Sequence, residues 1–68
     1  MYQIIEITGY GLRVWGDCQT HDAGIAFIGK RFGSVIAAEA DEDDDECCDV
    51  MTRSMRQFTI EPAKKEGK

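Results

Sequence analysis

"THDAGIAFIGKRFG", Thr20–Gly33, is the stretch on which the fold turns. Thr20 offers a hydroxyl that can accept from an otherwise unpaired amide at a helix start, and Asp22 follows in the first turn, where the helix dipole favours an anion. Lys30 and Arg31 stand in the last turn, and Gly33 can take the left-handed conformation that ends a helix. At about 100° per residue, His21, Ile25, Ile28 and Phe32 share one stripe, which predicts a helix laid on a sheet. Gly24 and Gly29 border that stripe. Each costs up to about 1 kcal/mol against alanine, so the expected return is a close approach of helix to sheet. Phe27 falls off the stripe, as the edge of a wide apolar face or a partly exposed contact residue.

On the N-terminal side, Tyr2–Thr8 ("YQIIEIT") is rich in β-branched and aromatic residues and predicts a strand ending at Gly9 and Gly11. Its adjacent Ile4 and Ile5 suggest cover on both faces, at least in part. Leu12–Gly16 ("LRVWG") alternates and can pair back as a hairpin. On the C-terminal side, Ser34–Ala40 reads as a further strand. "DVMT" and "RQFTIEP" read as two more around the turn Arg53-Ser54-Met55, and Pro62 stops the last. The expectation is one α+β domain over residues 1–62: one helix on an antiparallel sheet of three to five short strands, in β-(β)-α-β-β-β order. Residues 63–68 are expected to form a flexible, frayed polar tail.

Sixty-eight residues make a single small core. A chain of about 60 residues buries only ~60% of the surface its unfolded form exposes. The expected core is Tyr2, Ile4, Ile5, Ile7, Leu12, Val14, Trp15, Ile25, Phe27, Ile28, Phe32, Val35, Ile36, Val50, Phe58 and Ile60. So small an interior leaves little room for a deep substrate pocket, and an enzyme is not expected. No apolar run approaches the roughly 18 residues of a membrane span, and "MYQIIEITGYG" lacks the basic leader and apolar region of a signal peptide. Three cysteines close no disulfide framework, which predicts a reduced, cytoplasmic protein.

The net charge of −5 is unevenly spread. Residues 1–38 balance three acids against three bases, residues 39–49 carry eight acids and no base, and residues 50–68 carry five bases and two acids. The concentrated segment contains "DEDDDECC", Asp41–Cys48. If extended, it places one charge every ~3.3 Å, against one per ~3.4 Å along a DNA strand. A Lys- and Arg-lined groove shaped for phosphates could accept it, whereas nucleic acid and anionic lipid would be repelled. The alternative is a solvated, solubilising loop, the common fate of like-charge blocks.

Other constellations are weaker. "ITGYG" has Gly-x-Gly after a strand, but Val14 stands where a dinucleotide fingerprint needs its third glycine. Cys18-x-x-His21 with Cys47 or Cys48 is a partial zinc set, with two neighbouring cysteines that cannot easily share one ion. His21 also lies on the stripe expected to face the core. Asp41, Asp43 and Asp45 alternate as in a calcium loop, yet Glu46 and Thr52 occupy the positions where glycine and glutamate are required. Cys18 and His21, three apart at a helix start, lack an orienting third group for nucleophilic catalysis.

In size, acidity and lack of catalytic groups the chain is similar in type to small accessory proteins of phages and mobile elements, inhibitors such as anti-CRISPR proteins among them. That likeness implies an antidefence inhibitor or nucleic-acid mimic. The function expected is a non-enzymatic binding module, without cofactor, that occupies a basic surface of a larger protein. Asp41, Glu42, Asp43, Asp44, Asp45, Glu46 and Asp49 would make the charged contacts, and Tyr10, Trp15 or Phe27 the apolar anchor. The alternatives are a zinc-stabilised structural module and a subunit that dimerises through a sheet edge.

Overall fold

The computed structural model of the protein describes residues 1–40 and 46–63. The elements are β1 (Tyr2–Thr8), β2 (Gly11–Cys18), α1 (His21–Phe32), β3 (Val35–Ala40), β4 (Cys48–Thr52) and β5 (Gln57–Pro62). The five strands form one antiparallel sheet in the order β2-β1-β5-β4-β3. Chain connectivity explains the second layer. β2 and β3 are opposite edges of the sheet, and α1 joins them, so the helix must cross the sheet face.

The helix begins and ends on the residues its chemistry requires. Thr20 Oγ1 accepts from the Ala23 amide at 3.0 Å, and Gly33, at φ 109°, donates its amide to the Gly29 carbonyl at 3.1 Å. Between these caps Ile28 is fully buried on Ile4, Cys18, Cys48, Val50, Phe58 and Ile60, with Tyr2, Trp15, Ile25, Phe32 and Val35 packed around them. The two glycines behave differently. A Cβ at Gly24 would stand 2.7 Å from Ile60 Cδ1 and 2.9 Å from Cys18 Sγ, so the close approach depends on it. A Cβ at Gly29 would meet only Val35 Cγ2, at an ordinary 3.7 Å, so that glycine is not needed for packing.

The expected core is corrected at five positions: Ile7, Leu12, Val14, Phe27 and Ile36 are all exposed, Leu12 at 71%. Pairing explains the strand residues. Ile5 faces Val14 and Ile7 faces Leu12 across β1 and β2, while Tyr2 and Ile4 take the alternate positions toward α1. One helix supplies only one layer, so nothing among the described residues covers the other face, and the adjacent isoleucines of β1 do not lie between two layers. Ile5 is still 7% exposed because its neighbours on β2 and β5, Val14 and Thr59, flank it in the sheet itself.

Both edges are irregular. Trp15 on β2 and Ile36 on β3 are extra residues without a counterpart on the neighbouring strand. Such bulges twist an edge away from further strand pairing. At the β4–β5 turn, the Met55 amide reaches the Thr52 carbonyl at 2.9 Å and Met55 adopts φ 71°, as expected from the position of the turn but in a conformation that suits glycine better. Past β5, the Ala63 amide donates to the Met1 carbonyl at 3.0 Å.

Candidate functional site

Strand register sorts the charges by end. β1 and α1 begin, and β2, β3 and β5 finish, at the end of the sheet where Ala40 pairs with Cys48 and Tyr2 with both Cys18 and Pro62. Asp17, Asp22, Glu39, Glu46, Asp49 and Glu61 belong to this end. Arg13, Lys30, Arg31, Arg53 and Arg56 belong to the opposite end, with Glu6 as their one acidic neighbour among the described residues. Along α1, Asp22 and Lys30 are eight residues or about 12 Å apart, more than one Debye length at physiological salt.

The middle of the open sheet face carries a shallow groove of about 370 Å³, lined among others by Glu39 and Asp49 on the side of the anionic end and by Ile7, Ala37, Met51 and Gln57 on the opposite side. Glu39 and Asp49 are direct cross-strand partners on this face, as are Ala37 and Met51. Among the described residues neither carboxylate has an ion pair. Directly opposed like charges destabilise a strand pair, so this arrangement costs the fold something.

The residues singled out from sequence are scattered. Asp41, Glu42, Asp43, Asp44 and Asp45 lie outside the described residues, between β3 and β4. Asp49 lines the groove, and Glu46 stands ahead of β4 at the anionic end, outside the groove. Tyr10 is fully exposed on the β1–β2 turn, at the cationic end. Phe27 is exposed on the helix layer. Trp15 is half-buried: its Nε1 donates to Glu6 Oε1 at 3.1 Å and its ring stands edge-on to Phe32 at 5.0 Å. The three aromatics therefore do not join Asp49 on one surface. Glu39, Met51 and Ile7 do, and the outward positions of Ala37-x-Glu39 and Asp49-x-Met51 are the signal from which they could have been read.

The soft-ligand candidates have other work. His21 Nε2 is 2.7 Å from the Glu46 carbonyl, which can only accept, so this nitrogen carries the proton. This bond joins the start of α1 to Glu46 ahead of β4, and the ring also packs on Tyr2 of β1 at 4.6 Å. Cys18 and Cys48 are buried in the core, and burial, reinforced by Asp17 and Asp49 respectively, pushes both thiols up from the ordinary value. Cys47 is half-buried. Among the described residues no three His, Cys, Asp or Glu side chains are grouped to hold a metal, and no helix is long and apolar enough to cross a membrane. No family model, curated protein or solved structure matches the chain.

Proposed function

We propose that the protein is a non-enzymatic binding module whose anionic end and open sheet face dock onto a basic surface of a larger protein. The observation that carries this reading is the Glu39–Asp49 pair, two uncompensated carboxylates in direct register beside the apolar groove of Ile7, Ala37 and Met51. A Lys- or Arg-bearing partner would relieve their repulsion, and the groove would receive an apolar side chain. Asp41–Glu46, joining the same two strands, would extend the anionic surface and speed encounter. A partner that normally holds nucleic acid would thereby be inhibited. The sheet-edge dimer is less well supported, because each edge strand carries a bulge.

The test is capture of proteins from a lysate of the native host on immobilised wild type and on the D43K/D44K/D45K variant. Affinity of the purified pair is then measured against salt. A partner retained by wild type, lost by the variant and weakened by salt supports the proposal. Equal retention and flat salt dependence eliminate it.

A further inference from the structure

We propose that Arg13, Lys30 and Arg31, at the margin between β2 and α1, form a binding site for a small phosphate-bearing ligand. The two arginines come from different elements and converge on one ring: the Arg13 guanidinium carbon is 4.6 Å from the Trp15 ring centroid and that of Arg31 is 5.4 Å. Arg56 lies 4.9 Å from the Phe32 ring, which itself touches Trp15. Three guanidiniums thus surround a two-ring platform, with the Lys30 ammonium on the turn of α1 that bears Arg31.

The carboxylate in this cluster is already committed. Glu6 is 8% exposed, accepts from Trp15 Nε1 and pairs with Arg56 at 3.5 Å. Arg13 is the direct cross-strand partner of Glu6, yet its guanidinium stacks on the indole without an ion pair to that carboxylate. Among the described residues Arg31 has no ion pair either. The carbonyl end of a helix is worth about half a negative charge, so it offsets only part of Lys30 and Arg31. A cationic excess remains, and it exceeds what one carboxylate ligand would neutralise. A phosphate dianion fits it better.

Stacking suits the arginines to this task. A guanidinium lying on an aromatic face keeps its N–H edge free for bidentate bonds to an oxyanion, and the ring shields it from water. Beside it runs an open cleft of about 580 Å³ lined by Phe27, Lys30 and Arg31. The exposed Phe27 ring gives the organic part of such a ligand an apolar surface. The anionic end of the protein is too distant to repel it strongly at physiological salt.

Trp15 is the sole tryptophan and reports directly on the site. Its emission is followed while inorganic phosphate, adenosine diphosphate or acetate is added at constant ionic strength. The expected result is saturable change with phosphate or the nucleotide, the latter tighter if Phe27 takes part, and at least about tenfold weaker binding in R13Q/R31Q. R53Q, at the same end but off the indole, retains wild-type binding. Circular dichroism and melting of R13Q/R31Q establish that it is folded, and phosphate raises the melting temperature of wild type but not of this variant. No saturable change, equal binding by R13Q/R31Q, equal response to acetate, or salt-sensitive self-association in place of ligand binding overturns the proposal.

Discussion

Glu39 and Asp49 stand opposite each other across β3 and β4, both on the sheet face that α1 does not cover. E39K turns this repulsive pair into an attractive one. It is expected to raise stability by roughly 0.5 kcal/mol, the scale of a cross-strand charge pair, while it weakens binding to the basic partner. Urea midpoints and partner affinity are the two measurements, and they should move in opposite directions.

The two helix glycines should respond to alanine with opposite signs. G24A drives a methyl into Ile60 and Cys18, and overpacking of about 1–3 kcal/mol outweighs the ~1 kcal/mol of helix propensity recovered. G29A meets only an ordinary contact with Val35 and should gain up to about 1 kcal/mol. Chemical denaturation of the two variants beside wild type checks both.

Met55 occupies the left-handed region at φ 71°. Glycine there removes a Cβ penalty of roughly 1–2 kcal/mol but adds freedom to the unfolded chain. M55G should therefore be more stable by up to about 1 kcal/mol. A lower urea midpoint would count against strain at this turn.

Cys18 and Cys48 are held above their ordinary value of 9.0, chiefly by burial. A raised folded value means that the native state keeps protons which the unfolded chain has released, so stability is intact below about pH 9 and declines as pH rises further. Denaturation midpoints on either side of that value test the slope. In C18A/C48A any remaining alkaline loss must come from other groups.

The helix was legible almost residue by residue. Thr20, Asp22, Lys30, Arg31 and Gly33 act locally on backbone groups within a turn, and such effects need no tertiary partner. The strand segments were legible for the same reason, though β2 runs on to Cys18 beyond the expected Gly16. Burial was not legible at Ile7, Leu12, Val14 and Ile36, because alternation says that a strand has two faces without saying which is covered. The groove residues Glu39 and Met51 become neighbours only through the β3–β4 register.

From the sequence alone came the element order, the helix caps and the concentration of eight acids in residues 39–49, all properties of local spacing and composition. Only the tertiary structure sent acids and bases to opposite ends and, among the described residues, left one sheet face uncovered. It also gathered Glu6, Arg13, Arg31 and Arg56 around Trp15 and Phe32 from four separate elements or turns. The physical reason is that antiparallel pairing and a single crossing helix bring distant residues together through hydrogen-bond register, a long-range relation that no short window of residues contains.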